Sequence, residues 1–414
     1  VLLGADGHGK TTLAEALLRQ GVDEGQTIPT RVTTHMQYCI AGRRFWQLDP
    51  PRDGDLAASL FATSRVDAAV LAVNVEVGVT AQTREQLFIA RCAGVDRAIV
   101  YLSRGDVVGA SEIRMIARDE ARAAVGHAGM EVVAVVHTRE ELVDALGRLP
   151  QPARDETAPF AMLVQERASM KGIGTVMMGS VLQGRAALEQ GLELIGGGGR
   201  WPTCMTAIEV NGWNETELYA GQEAAVVLRG IDMYECCRAQ LLAAPGSIDE
   251  RTRFSAELRL LTKEEGGAGS AVTTGSAFWC LMGSSRRVAQ LTTTTPLLPG
   301  QVARVDIELD RPLALHDGQA FVLRAGATTV AVGGPPWRPR QAATSMLESL
   351  CRPAGVSRAA LACVIEALLD ANPCARVALD DVDAALAMID ERTMGQLELI
   401  VEHPPLRHLT RIWR

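Results

Sequence analysis

The sequence predicts an α/β domain with a mostly parallel, doubly wound sheet, followed by two all-β barrel domains and a small α-helical C-terminal extension. Three observations predict this order. Apolar strand-like runs alternate with helical segments over residues 1–150, short β-rich runs separated by Gly and Pro follow, and helical periodicity returns from Pro335. A chain of 414 residues is too long for one ordinary core, so about two to four domains are expected.

The first domain, residues 1–150, has a βαβ pattern. Val1 to Leu3 predicts the end of a buried strand, and Leu13–Leu18 opens a helix. The runs "FWQLD", "AAVLAVNV" and "RAIVYL" are typical of buried parallel strands. The segments "TREQLFIARCAG" and "EIRMIARDEARAAVGHAG" have helical periodicity and end at glycine. Residues 149–159 have the composition of a linker.

The remaining domains are predicted from a change in the pattern of apolar and turn residues along the chain. Residues 157–246 and 248–334 are predicted as two barrels, because runs such as "TVMMGSVLQG", "EAAVVLRGI", "FSAELRLL" and "AFVLRAGATTVAVGG" are short, β-rich and bounded by turn residues. Residues 335–414 are predicted to be helical, with an N-cap at Ser357 before an apolar helical face.

Composition limits the function classes. A net charge of −8 disfavours bulk-electrostatic binding of nucleic acid, so any RNA contact would have to be local. No run of about 18 apolar residues is present, and we predict no membrane span. The nine cysteines form no CxxC pair, which favours small apolar residues in a reducing compartment over a metal site.

The stretch "VLLGADGHGKTT" matches G-x-x-x-x-G-K-[ST] from Gly4 to Thr11, after a strand and before a helix. Glycines let backbone N–H groups close around phosphate oxygens, Lys10 neutralises them, and the Thr11 hydroxyl binds Mg²⁺. Only three of the 41 basic residues are lysines, which makes Lys10 conspicuous. Asp49 suits a water-mediated Mg²⁺ contact, and Asp106 is placed to accept the guanine edge.

At this point the sequence resembles the translational GTPases, and specifically those of the elongation factor Tu type. "AQTREQLFIARCAGV", "GIGTVMMGSVLQG", "AGQEAAVVLRGI" and "FSAELRLLTKEEGG" are similar, in order, to segments of that family. The resemblance covers residues 1–334 and implies a G domain, two β-barrels, and GTP or GDP with Mg²⁺ as ligands. The selenocysteine-specific factor and the gamma subunit of initiation factor two share this architecture, but "KEEGG" favours elongation factor Tu.

The resemblance also implies roles for single residues. It implies phosphate binding by Gly4, His8, Gly9, Lys10, Thr11 and Thr12, Mg²⁺ binding by Thr11, Thr30 and Asp49, and guanine binding by Ser103, Arg104 and Asp106. The chain departs from the family at Gly7, where the family has Asp, and in a shorter first switch segment. Ser103 replaces an Asn, and "VVHTREE" stands where the fifth motif would lie.

The hydrolysis motif is altered most. The family's D-C-P-G-H is "DPPRD" here, so Arg52 replaces the flexible glycine and Asp53 aligns with the histidine that positions the attacking water. An acid at that position adds negative charge beside a developing negative transition state. We therefore expect slow or absent hydrolysis and predict no catalytic residue. An alternative is that Arg52 acts as an arginine finger in cis.

The family's tRNA-facing arginines are also replaced. Ala268 and Gly269 follow "KEEGG" in place of Arg–His, and Thr328 replaces another arginine, which disfavours tRNA binding. The basic pair Arg286–Arg287 is more typical of a solvated loop than of an RNA contact. The partner of residues 335–414 is not indicated by the sequence.

These observations predict a guanine-nucleotide-binding protein that acts as a ribosome-associated or ribosome-assembly factor. The expected partner is a ribosomal subunit or its assembly intermediate, with its rRNA and proteins. The alternatives are an active GTPase that delivers aminoacyl-tRNA, and a nucleotide-free pseudo-GTPase scaffold. We expect the mitochondrial matrix, with the bacterial cytoplasm as the alternative, and we expect residues upstream of Val1 because a strand seldom begins a chain.

Overall fold

Alternating apolar strands and amphipathic helices build the N-terminal part of the structure, which is a computed structural model. The described residues are 1–20, 26–29, 34–40, 42–49, 56–62, 66–104, 111–152, 154–170, 174–210, 212–237, 239–316 and 319–334. They belong to one compact unit, Val1–Trp337. The predicted helical extension, residues 335–414, lies outside the described residues.

The α/β part contains seven of the described strands and five helices. In chain order these are β1 (Leu2–Leu3), α1 (Lys10–Gln20), β2 (Gln26–Pro29), β3 (Thr34–Ile40), β4 (Arg43–Asp49), α2 (Leu56–Ala62), β5 (Ala69–Asn74), α3 (Ala81–Cys92), β6 (Arg97–Ser103), α4 (Ser111–His127), β7 (Glu131–Val136) and α5 (Arg139–Gly147). Strands β1, β5, β6 and β7 form a parallel sheet in that order.

Both faces of this parallel sheet are covered, as a doubly wound fold requires. Successive strand residues point to opposite faces, so Val70 packs with α1 and α5 while Leu71 packs with α2, α3 and α4. All six residues of β5 are buried, which explains why its sequence is a continuous apolar run. The predicted parallel sheet is therefore confirmed for β1, β5 and β6.

The prediction of a parallel strand at "FWQLD" is wrong. This run lies in β4, which pairs antiparallel with β3 in a separate three-stranded sheet, β2–β3–β4. Ile40 pairs with Arg43, so two residues connect the strands, and Gly42 adopts a positive φ of 75° there. The first residues of β4 alternate between half-buried and exposed, and only its last three are continuously buried. A short apolar run did not distinguish this hairpin strand from a central strand.

The second part is an antiparallel sheet curved around one core. Its strands are β8 (Ala161–Met170), β9 (Gly174–Gln183), β10 (Arg185–Ala187), β11 (Leu192–Ile195), β12 (Arg200–Thr203), β13 (Met205–Val210), β14 (Trp213–Glu215), β15 (Glu217–Tyr219), β16 (Glu223–Leu228) and β17 (Leu241–Ala243). Eight strands pair in the order β12–β11–β17–β8–β9–β16–β13–β14, and β10 pairs with β15. Within the described ranges the edge strands β12 and β14 do not pair with each other. The sheet in the region predicted as a barrel, residues 157–246, is therefore not closed by hydrogen bonds there. Their inward side chains nevertheless share one apolar core.

The third part is a closed barrel, as predicted for this region. Its strands are β18 (Asp249–Leu260), β19 (Ala277–Met282), β20 (Ser285–Thr292), β21 (Val302–Leu315), β22 (Phe321–Ala325) and β23 (Thr328–Gly333). They pair in the order β18–β21–β20–β19–β22–β23, and β18 pairs with β23 to complete the ring.

Among the helices that the structure describes, none has the length and apolar character of a membrane span.

The "KEEGG" segment joins this barrel to the α/β part. Glu265 is buried and accepts hydrogen bonds from Arg259 at 2.5 Å and from the Thr262 backbone N–H at 2.9 Å, and its carboxylate lies 3.0 Å from His127 Nε2 of α4. Gly266 has φ +83°, and a Cβ there would lie 2.3 Å from the backbone oxygen of Ala81 in α3. The segment therefore serves as a structural junction.

A second set of contacts extends this junction. Thr329 Oγ1 donates to Glu85 of α3 at 2.5 Å, and Arg324 lies 3.6 Å from the same carboxylate. The buried Cys92 thiol donates to the backbone oxygens of Phe321 and Gly333. We call the contacts of α3 and α4 with the barrel the α3–barrel junction. It connects α3 and α4 to the barrel.

Candidate nucleotide-binding site

The loop between β1 and α1 contains three glycines in the left-handed region of the backbone. Gly4, Gly7 and Gly9 adopt positive φ values of 135°, 80° and 86°, which glycine tolerates without strain. A Cβ on Gly4 would lie only 2.3 Å from the backbone oxygen of Ala72 in β5. The Gly4 N–H donates to Gln86 Oε1 of α3 at 2.7 Å, so the start of the loop is fixed against both neighbours.

Lys10 begins α1 and is folded back over the loop. Its Nζ donates to the backbone oxygens of Gly4 at 2.7 Å and Ala5 at 3.0 Å, and it lies 3.8 Å from the Asp6 carboxylate. The lysine side chain is only 12% exposed, whereas that of Asp6 is 60% exposed. The ammonium group is thus held at the centre of the loop, where a phosphate oxygen would meet it.

The side chain of His8 attaches the loop to the sheet. Its side chain is buried, with Nδ1 3.3 Å from the backbone oxygen of Ala72, so Nδ1 carries the proton of this hydrogen bond. Burial lowers the pKa of His8, and the Lys10 charge lowers it further. The imidazole is therefore neutral at pH 7 and anchors the loop to β5, and its side chain faces the protein interior.

The residues assigned to Mg²⁺ are only partly described. Thr11 and Thr12 are exposed at the start of α1, and Asp49 is buried at the end of β4. Thr30 lies outside the described residues, and so do Asp53 of the hydrolysis motif and Asp106 of the guanine motif. A hydroxyl and a carboxylate are hard oxygen ligands that suit Mg²⁺, which commonly takes its other ligands from water and phosphate. The described donors thus fit the ion.

The guanine-side residues meet the loop at the end of β6. Ser103 Oγ donates to the backbone oxygens of His8 at 3.2 Å and Val73 at 3.4 Å, so it binds the loop backbone. Arg104 has a positive φ of 60°, unusual for a residue with a side chain, and its guanidinium lies 3.5 Å from Glu76. Ser103 and Arg104 both lie beside the loop, and their assignment to guanine stays a prediction.

Two cavities share the loop residues Asp6, Gly7 and His8. The first, which we call the basic cavity, has a volume of about 410 Å³ and is lined by Asp6, Gly7, His8, Gly9, Lys10, Thr11, Thr12, Leu13, Tyr101, Ser103, Arg104 and Arg139. The second, which we call the acidic cavity, has a volume of about 460 Å³ and is lined by Ala5, Asp6, Gly7, His8, Asn74, Val77, Thr80, Ala81 and Gln82. A volume of this size is typical of sites for small molecules.

Three residues at this site were missed by the sequence reasoning. Arg139 lines the basic cavity from the first turn of α5, within the "VVHTREE" stretch that has no recognisable motif. Gln86 holds Gly4 from a helix about eighty residues away in sequence. Asp6 lines both cavities. The loop match was a signal only for Asp6, since the other two reach the site through the tertiary fold.

The closed barrel is the part of the chain for which a match to a known protein family is found. Residues 247–334 match the family model of the elongation factor Tu C-terminal domain. This match covers the closed barrel and includes "KEEGG". Together with the parallel sheet, it supports a relationship to the elongation factor Tu-like translational GTPases, which bind guanine nucleotide and Mg²⁺.

Within this elongation factor Tu-like barrel, the positions without the family's arginines lie at the surface. Ala268 and Gly269 are half-buried, and the Ala268 N–H donates to the Thr329 backbone oxygen at 3.0 Å. Thr328 is exposed at the start of β23. Arg286 lies over the ring of Trp279, 4.1 Å from its centroid, which accounts for one member of the basic pair.

Proposed function

We propose that this chain is an elongation factor Tu-like guanine-nucleotide-binding protein that acts as a ribosome-associated or mitochondrial ribosome assembly factor. The phosphate loop, with Lys10 held over three glycines at positive φ, is the observation that carries the proposal. GTP or GDP would serve mainly as a structural or conformational ligand, and its binding would stabilise the α/β part by mass action.

In this proposal different residues of the chain bind different parts of the nucleotide. Lys10 would exchange its backbone contacts for phosphate oxygens, while Thr11 and Asp49 would hold the ion. The bound Mg²⁺ would neutralise phosphate charge. Ser103 would keep the loop beside the base end of the site, and Arg104 and Arg139 would add positive charge there.

Slow hydrolysis is part of the same proposal and rests on the sequence. Arg52 stands where a flexible glycine belongs, and Asp53 where the family has a histidine. A carboxylate beside the attacking water opposes charge development on the terminal phosphate. An assembly factor can use nucleotide occupancy without rapid turnover.

We propose a ribosomal partner rather than tRNA because the barrel surface lacks the arginines that the family places toward tRNA. Loss of arginines that face phosphates removes contacts that set RNA affinity and position. Ala268, Gly269 and Thr328 offer no charge at the three positions concerned. The mitochondrial matrix is proposed as the location, because an altered paralogue can diverge where a working elongation factor also operates.

Three measurements test the proposal. Isothermal titration should show binding of GDP with Mg²⁺ to the wild type and to Lys263→Ala, and no binding to Lys10→Ala. Lys263 is an exposed lysine outside the loop and so controls for loss of one positive charge. Absence of binding in the wild type would instead favour the nucleotide-free scaffold.

The other two measurements separate assembly from elongation. We expect the protein to sediment with ribosomal subunits or their precursors from a mitochondrial lysate. We also expect no protection of the ester bond of aminoacyl-tRNA from hydrolysis in the presence of GTP. Clear ester protection would refute the assembly proposal and support delivery of aminoacyl-tRNA.

A further inference from the structure

We infer that Asp6 makes the site select a nucleoside diphosphate over a triphosphate. The inference rests on the proposed function, because it concerns the phosphate chain of the bound nucleotide. Asp6 is the third residue of the loop and the only acidic residue among the described residues that line either cavity. Its carboxylate is largely exposed and lies 3.8 Å from Lys10 Nζ.

The arrangement of the two cavities gives the direction of the nucleotide. Ser103, Arg104 and Arg139 line only the basic cavity, and so do the phosphate-loop residues Gly9 to Thr12, so this cavity would hold the base together with the first phosphates. Asp6, Gly7 and His8 line both cavities. A nucleotide whose base lies against β6 would extend its phosphates along the loop toward these shared residues. Its last phosphate would then lie at the edge of the acidic cavity.

The two cavities differ in charge. Lys10, Arg104 and Arg139 give the basic cavity three cationic side chains against one carboxylate. In the acidic cavity, Asp6 alone among the described lining residues is charged at neutral pH, because the buried His8 is neutral. The remaining polar groups there are neutral, and Asn74 already accepts from the Glu76 backbone N–H at 3.0 Å. A third phosphate would thus approach a carboxylate without a compensating cation from that lining.

The same carboxylate acts on both nucleotides, but unequally. Any phosphate that binds Lys10 lies near the Asp6 carboxylate, which is 3.8 Å from the ammonium, and this weakens binding of GDP and GTP alike. Only the triphosphate places additional negative charge at the end nearest Asp6. Like charges a few ångströms apart in a partly hydrated site change a binding constant by about tenfold. Asp6 therefore discriminates by the number of phosphates.

The test compares Asp6→Asn and Asp6→Ala with the wild type in the full chain. Isothermal titration with GDP, and with a GTP analogue whose β,γ-bridge is an imido group, gives two dissociation constants for each protein in the presence of Mg²⁺. We expect both variants to lower the ratio of analogue to GDP dissociation constants by about tenfold at low salt. The change should shrink at about 0.5 M salt, because Asp6 is exposed.

Glu15→Gln is the matched control. Glu15 is an exposed acid on α1 that lines neither cavity, so its removal changes the net charge equally but should leave the ratio unchanged. Circular dichroism melting curves verify that each variant is folded. If the wild type binds GDP and both Asp6 variants keep its ratio within about twofold, the role of Asp6 is refuted while nucleotide binding stands. If no variant and no wild type binds either nucleotide, the proposed function fails and the role of Asp6 fails with it.

Discussion

Replacement of Glu265 tests whether "KEEGG" is a structural junction. Glu265→Gln keeps the shape of the side chain but removes the charge that faces Arg259 and His127. Breaking a fully buried ion pair costs about 3–5 kcal/mol. The Arg259 side chain is 21% exposed and that of His127 is 61% exposed, so water would solvate part of what the carboxylate now binds. We therefore expect a loss of about 2–3 kcal/mol in the free energy of unfolding at pH 7.

The loss should depend on pH in a definite direction. Burial by itself raises the pKa of the Glu265 carboxyl, but hydrogen bonds from Arg259, Thr262 and His127 outweigh it, so the pKa is below its ordinary value of 4.5. A carboxyl with a lowered folded-state pKa stabilises the protein above its unfolded-state pKa. That stability is lost as the pH falls through the folded-state value. The difference between wild type and variant should be full at pH 7 and shrink below about pH 4.5.

Urea unfolding followed by tryptophan fluorescence and far-ultraviolet circular dichroism measures this difference. Glu264→Gln is the control, because Glu264 is the adjacent acid in the same segment and is exposed. We expect its unfolding free energy to stay within about 0.5 kcal/mol of the wild type. The junction role would be refuted if the two variants lost equal stability at pH 7. It would be refuted equally if the Glu265 effect were as large at pH 3.5 as at pH 7.

Two further predictions concern packing around the loop and α3. Gly4→Ala should lower the free energy of unfolding by about 3 kcal/mol, because its Cβ would lie 2.3 Å from the Ala72 backbone oxygen. Gly42→Ala, at positive φ in open space, is the control and should cost less in thermal melts. Equal costs for the two variants would contradict the clash. Burial raises the pKa of the Cys92 thiol to about 12, so iodoacetamide should not modify it in native protein at pH 8 but should do so in guanidinium. Mass spectrometry with the half-buried Cys39 as internal reference decides this, and equal native labelling of both thiols would count against it.

Part of the candidate site could be predicted from the sequence because its chemistry is local. Gly4, Gly9, Lys10 and Thr11 lie within eight consecutive residues at the end of a loop and the start of a helix, so their spacing alone predicts a phosphate site. The structure brings Gly9, Lys10 and Thr11 together with Ser103 and Arg104 in one cavity. The roles assigned to Thr30, Asp53 and Asp106 remain predictions, since those residues lie outside the described ranges.

Other features depended on contacts between distant segments. "FWQLD" was assigned to the central sheet, but pairing with β3 placed it in a hairpin. The loop motif gave no position for the His8 side chain, because the Ala72 carbonyl that it contacts lies in β5. "KEEGG" carried the family resemblance, but only packing against α3 and α4 shows that its glutamate is buried.

The sequence by itself determined the alternation of strands and helices, the barrel at the end of the described chain and the position of the loop that we propose binds phosphate. These follow from hydrophobic periodicity and from residue spacing within single elements. Only the tertiary structure decided that Gln86 and Arg139 belong to the site and that Asp6 stands between a basic and an acidic cavity. The physical reason is that charge and hydrogen bonding act through space, and the groups that meet here come from strands and helices far apart in the chain.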